Sequence, residues 1–236
     1  MFNDKERKII GIIGAMKSEV DALKEKIIDA QTITISGVEF VYGQFGNVNI
    51  VAAMSGIGKV FAAICAQTMI LTFKPELVIN IGVGGALQSG LNIADAAIAE
   101  SVVQHDMDTT PIGDPLGLIS GINIVNIPCS ADFIDRMEKC AKELGINFKR
   151  GVIASGDCFV NDKAKKQSIV DNFNAIVCEM EGASVGHVCY VNKVEFGVLR
   201  TISDNGDENS GNDYFESLEK ASNAALEITY AFLETF

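Results

Sequence analysis

The sequence predicts an α/β protein: one three-layer α/β/α domain spanning residues 1–236 around a mixed central sheet, with residues 1–8 as a flexible N-terminal tail. Three observations predict this. Short runs rich in Ile and Val alternate with amphipathic stretches along the whole chain, as expected when strands are covered by helices on both faces. No low-complexity linker interrupts the alternation, and compact domains join their elements by short loops. The balance of 48% hydrophobic and 21% charged residues over 236 positions suits one sizeable core.

In order, "KIIGIIGAM" reads as a buried strand running into a glycine turn. "KSEVDALKEKI" follows as a helix with Val20, Leu23 and Ile27 on one face. "TITI" and "EFVYGQF" flank Ser36-Gly37, a hairpin signal, and "VNIVAAM" continues the strands. "KVFAAICAQTMILTF" is a helix stopped near Pro75, and "LVINIG" the strand after it. The second half gives strands at "AAIAESVV" and "GINIVNIP", a helix from Ser130 to Leu144, strand "KRGVIASG" and a helix near Lys163 to Asn172. Strand "AIVCEM", helix "ASVGHVCYVN", strand "EFGVLRTIS" and a terminal helix from about Tyr214 complete the chain. The stretch "QHDMDTTPIGDPLGLISG" is long and irregular, as lids and interface loops often are.

The formal net charge of -12, with only four arginines, argues against nucleic acid or an anionic membrane as partner. The six cysteines show no CxxC pair and no zinc spacing, and read as reduced thiols in a cytoplasmic protein. The charged start "MFNDKERK" shows no signal peptide, and the longest apolar run, Val60 to Phe73, is too short to span a bilayer.

Glycine-marked turns follow strands at "GIIGAMKSEV", "SGIGKV", "NIGVGGAL" and "ASGDCFV". Each allows backbone to approach a ligand, or simply packs tightly. The first is not GxGxxG, which argues against a dinucleotide site. Glu19 reads equally as a carboxylate stabilising the first turn of its helix, Asp204 as a turn or N-cap residue, Arg200 as an ion-pair partner, and Glu181 as a capping acid. His187 reads as a core histidine and His105 as a loop residue, so neither suggests a catalytic set. The stretch "NAIVCEMEGASVGH" places Glu179, Met180 and Glu181 at a strand's carboxyl end, where open α/β sheets bind ligands. Several carboxylates at strand ends with few bases suit a hydroxyl-rich ligand, such as a sugar passing through an oxocarbenium-like transition state.

"GIIGAMKSEV", "SGIGK", "SGDCFV", "CEMEGASVGHVC" and "RTISD" resemble, in order and spacing, the 5'-methylthioadenosine/S-adenosylhomocysteine nucleosidases of the nucleoside phosphorylase superfamily. The resemblance covers nearly the whole chain after the first eight residues. It implies the nucleoside phosphorylase-like fold, a nucleoside substrate, hydrolysis of its N-glycosidic bond without metal or organic cofactor, and a homodimer. It also implies roles. Glu19 would be the general base for the attacking water, and Asp204 would donate a proton to N7 of adenine, oriented by Ser203. Glu181 would accept from the ribose hydroxyls with Met180 against the sugar, and Arg200 would lie near the water and sugar. Phe159 would stack on adenine and the backbone of Val160 would read its edge. Met16, Ile57 and Tyr214 would line the sugar and the 5'-thioalkyl pocket, with Ile112 reaching it from a partner subunit.

The chain departs from that pattern at Val83, where relatives often carry a hydroxyl, at Lys17-Ser18, where an acidic pair is common, and in the 105–120 loop, which lacks aromatics. Three other readings remain. A phosphorylase of the same fold would need cations for phosphate, yet Asn80 and Val83 stand where purine phosphorylases carry Arg and Ser. A futalosine-type nucleoside hydrolase would keep the same machinery. A non-catalytic nucleoside-binding protein should have lost an acid or base, whereas Glu19, Glu181 and Asp204 are present.

Overall fold

The first apolar run forms β1 (Ile9–Gly14), the spine of one wing of the sheet, in a computed structural model that describes residues 7–236. Residues 1–6 of the expected tail lie outside the described residues. Beyond them, Arg7 donates to the carbonyl of Gly46 at 3.1 Å and the carbonyl of Lys8 accepts from the amide of Asn49.

After β1 come α1 (Lys17–Lys24), β2 (Ile28–Ile35), β3 (Val38–Phe45), β4 (Val48–Met54), α2 (Lys59–Phe73), β5 (Leu77–Ala86) and β6 (Ala96–Gln104). A short strand β7 (Ile127–Pro128), α3 (Ala131–Glu143), β8 (Phe148–Ser155), α4 (Lys163–Phe173), β9 (Ala175–Glu179), α5 (Gly182–Asn192), β10 (Glu195–Asp204) and α6 (Ser210–Leu233) follow. Ser36 and Gly37, with φ of 55° and 76°, make the turn between β2 and β3. Two successive left-handed residues match the twist of a tight hairpin.

Among the described residues the mixed sheet has ten strands. β1 lies parallel between β4 and β5, and the β2–β3 hairpin extends this wing antiparallel from β4. β5 also runs parallel to β10, and its last residues, Gly85 and Ala86, turn to pair with Cys178 and Val177 of β9. Because β9 pairs β8, β8 pairs β6 and β6 pairs β10, the strands β5, β10, β6, β8 and β9 close into a ring. Closure removes free strand edges at that end. α6 packs on β10, β5, α1 and α3, while α2 packs on α5.

The element order follows the sequence pattern, with three differences. α1 stops at Lys24, so Ile27 is buried from the connection rather than from the helix. "GINIVNIP" contributes only the two residues of β7, because Gly121 and Asn123 take φ of 93° and 56° and turn the chain within the run. α6 begins at Ser210, four residues before Tyr214.

Candidate active site

The segments that follow β1, β4, β8 and β9 meet the ends of β5 and β10 and the start of α6 around a cavity of about 310 Å³. Glu19 enters from the first turn of α1 and is buried. Its Oε2 accepts from the amides of Ala15 (2.7 Å) and Met16 (3.0 Å), and its Oε1 from the amide of Val83 (3.1 Å). The capping reading and the functional one therefore meet in one group: the carboxylate closes the start of α1 and also lines the cavity. Space for it comes from Gly82, where a Cβ would lie 2.5 Å from Oε1. Burial pushes the Glu19 carboxyl above its ordinary range, against the opposing charge of Arg200.

Asp204 faces the cavity from the end of β10. Ile202 pairs with Gly84 and Asp204 with Gly85, so Ser203 is the extra residue of a β-bulge. Adjacent strand residues ordinarily point to opposite faces, and the bulge lets Ser203 and Asp204 line the same cavity. The Ser203 hydroxyl lies 2.9 Å from Asp204 Oδ2, and the amide of Gly206 donates to Oδ1 at 2.9 Å.

Glu181 opens α5, and its Oε1 accepts from the amide of Gly58 at 2.7 Å. Burial first, and then the neighbouring charge of Glu179, push its carboxyl up to about 7. Glu179 is differently engaged. Its Oε1 accepts from Ser155, and its Oε2 from Arg200 and from the amides of Glu181 (3.0 Å) and Gly182 (2.8 Å). It accepts from one terminal nitrogen of the buried guanidinium and from the first amides of α5 together.

The remaining walls are apolar. Met16, Ile57, Val160, Met180 and Tyr214 line the cavity. Phe159 meets Tyr214 edge to face at 5.7 Å, and the Tyr214 hydroxyl lies 3.1 Å from Met16 Sδ. Arg200 and Ile112 do not line it. Arg200 sits behind the wall, bonded to Glu179 and to Asn80 Oδ1 (2.5 Å), with Glu181 Oε2 3.8 Å away. Ile112, at the end of a 3-10 turn (Thr110–Ile112), is 81% exposed. His187 is half-buried, with Nδ1 3.5 Å from the Gln104 amide nitrogen. His105 is buried against Gly156, 4.0 Å from Cys158 Sγ. Among the described residues no cluster of His, Cys, Asp and Glu suits a metal ion, and no helix is long and apolar enough to cross a membrane.

The profile of the Phosphorylase superfamily matches residues 9–234. The chain belongs to that superfamily. It is 38% identical over 225 residues to a 5'-methylthioadenosine/S-adenosylhomocysteine nucleosidase of Staphylococcus carnosus, covering 93% of this chain and 98% of the relative. It is 39% identical over 226 residues to an aminodeoxyfutalosine nucleosidase of Helicobacter pylori, covering 95% and 98%. The fold matches a crystal structure of the Helicobacter pylori 5'-methylthioadenosine/S-adenosylhomocysteine nucleosidase with a TM-score of 0.93 at 38% identity, covering 97% of this chain and 99% of that one.

Within this superfamily chain, two groups at the site go beyond the motif reading. Val83 supplies its backbone amide to Glu19. Glu179 is the clamp for Arg200. Its signal in the sequence is an acid directly after a buried strand, paired with an arginine inside another apolar run, because neither charge is buried alone.

Proposed function

We propose that the protein hydrolyses the N-glycosidic bond of 5'-methylthioadenosine and/or S-adenosylhomocysteine, releasing adenine and the 5-thio-substituted ribose. The observation that carries this reading is the convergence of Glu19, Glu181 and Asp204 on one cavity whose described lining contains no Lys, Arg or His. A phosphorylase needs cationic groups for phosphate, and Arg200 is bonded to Glu179 behind the wall.

In this mechanism Glu19 accepts a proton from water as the water oxygen attacks the anomeric carbon. The bond from that carbon to adenine N9 breaks, its electron pair moves into the purine, and Asp204 delivers a proton to N7, so adenine leaves neutral. Glu181 accepts from the ribose hydroxyls, Phe159 stacks on the base, and the Val160 backbone reads its edge. Met16, Ile57 and Tyr214 receive the apolar 5'-substituent. Arg200 acts at one remove, by fixing Glu179 and facing Glu181.

A homodimer fits the outer surface. Ile57, Val60, Phe61 and Ile64 are exposed at and just before α2, and an apolar helical face of this kind suits a second copy. In that assembly Ile112 of the exposed loop contributes to the neighbouring cavity. Six free cysteines suit a reducing cytoplasm, and the substrates place the reaction in methionine salvage.

A second reading is supported by the 39% identity to an aminodeoxyfutalosine nucleosidase: the same acid, base and ribose contacts with a different 5'-substituent. Adenine release from a panel of 5'-methylthioadenosine, S-adenosylhomocysteine, aminodeoxyfutalosine and adenosine, each with and without phosphate, tests both. The expected result is rapid, phosphate-independent release from the thio-substituted nucleosides. Release confined to the futalosine-type nucleoside favours the second reading, and a sugar 1-phosphate product refutes both.

A further inference from the structure

The peptide between Asn205 and Gly206 is bonded at both ends to ionisable side chains. Its N–H donates to Asp204 Oδ1 at 2.9 Å, and its carbonyl accepts from the ammonium of Lys166. The same ammonium donates to the carbonyl of Ala86 at 2.9 Å. Ala86 ends β5 and pairs with Val177 of β9, so Lys166 anchors the loop after β10 to the closed part of the sheet. Nothing in the sequence singles out Lys166, which stands in a lysine-rich stretch, "KAKK".

We propose that Lys166 is a positioning residue for Asp204, acting through the Asn205–Gly206 peptide. Two effects follow from the geometry. A peptide whose carbonyl accepts from a cation is polarised, and its N–H becomes the stronger donor. The ammonium also fixes the peptide plane. Gly206, at φ 60°, imposes little restraint of its own, so the plane's orientation, and with it the aim of the N–H at the carboxyl, depends on that grip. The ion pair of Lys163 with Glu208 at 3.0 Å touches the same segment, but both side chains are exposed and such pairs contribute little.

This inference rests on the reading of Asp204 as the acid that protonates adenine, and the experiment separates the two. Lys166→Met, Lys166→Arg and Asp204→Asn are compared by kcat and KM on two substrates with the same 5-methylthioribosyl group. One carries adenine. The other carries 4-nitrophenolate, which departs as a stable anion and needs no proton. A hydrogen bond to a charged group corresponds to roughly ten- to a hundredfold in rate. Lys166→Met should lower kcat on the adenine substrate by about that factor, with KM and the nitrophenyl reaction within about threefold of wild type. Lys166→Arg, which keeps a cation able to reach the carbonyls, should retain most of the activity.

If Asp204→Asn discriminates between the substrates while Lys166→Met slows both equally or neither, Lys166 is only a tether and this inference fails alone. It also fails alone if Lys166→Arg is as slow as Lys166→Met. If Asp204→Asn itself does not discriminate, the acid role of Asp204 fails and takes the inference with it.

Discussion

Glu179, not Glu181, holds the guanidinium of Arg200. The Glu179 carboxylate bonds it directly, whereas Glu181 Oε2 stays 3.8 Å away and keeps its other oxygen on the Gly58 amide. The two glutamates of "EMEG" both line the cavity but divide their tasks, one bonded to a buried cation and the other to the Gly58 amide. Removing one partner of a buried ion pair strands the other charge, at about 3–5 kcal/mol. Glu179→Gln should therefore lower the free energy of unfolding by about that amount, read from urea midpoints. Glu181→Gln should leave stability unchanged or raise it.

The raised carboxyl of Glu181 gives a pH dependence. In the unfolded chain the group titrates near its ordinary 4.5, and in the folded protein near about 7, so between these values the folded state carries the extra proton. Stability contributed by this group therefore falls as pH rises across that window. Glu181→Gln should be more stable than wild type at pH 8 by about 1–3 kcal/mol and indistinguishable near pH 4.5, measured by denaturant unfolding without ligand. An equal difference at both pH values would contradict the shift.

Gly82 makes the position of Glu19 possible. A methyl group there would lie 2.5 Å from Oε1, and the carboxylate cannot retreat without losing the amides of Ala15, Met16 and Val83. Gly82→Ala should leave the circular dichroism spectrum unchanged and lower kcat by about a hundredfold, the usual scale for a misplacement near 1 Å. Gly211→Ala, where a Cβ meets nothing within 4 Å, is the control and should be nearly silent.

The exposed face of α2 predicts the oligomer. Val60 is 68% exposed, and a charge introduced there would be buried in a dimer and solvated in a monomer. Sedimentation should show wild type as a dimer and Val60→Glu as largely monomeric, with lower activity because Ile112 no longer reaches the neighbouring cavity. A fully active wild-type monomer at assay concentration would exclude this arrangement.

Much of the fold is legible in local pattern. Ser36-Gly37 marks its hairpin because only a few residue types tolerate two positive φ values, and the Ile/Val runs of β1 and β5 are continuous because parallel strands are covered on both faces. The closure of the sheet is not legible, since it depends on Gly85 and Ala86 meeting Cys178 and Val177 across more than ninety positions of chain. At the site, the motifs mark Glu19, Glu181 and Asp204 by type and spacing. They do not show the bulge at Ser203, the clamp of Glu179 or the reach of Lys166, because each depends on a partner distant in sequence.

The role of Glu19 is tested most directly by Glu19→Gln, with binding and turnover measured separately. The amide oxygen can still accept hydrogen bonds, but the group cannot take a proton from water. Affinity for 5'-methylthioadenosine by equilibrium dialysis should stay within about tenfold of wild type. The single-turnover rate should fall by about 10²–10⁴, the usual consequence of losing a general base. A variant that binds the nucleoside and cleaves it within a few-fold of the wild-type rate would reduce Glu19 to a carboxylate that caps α1, and the attacking water would need another base.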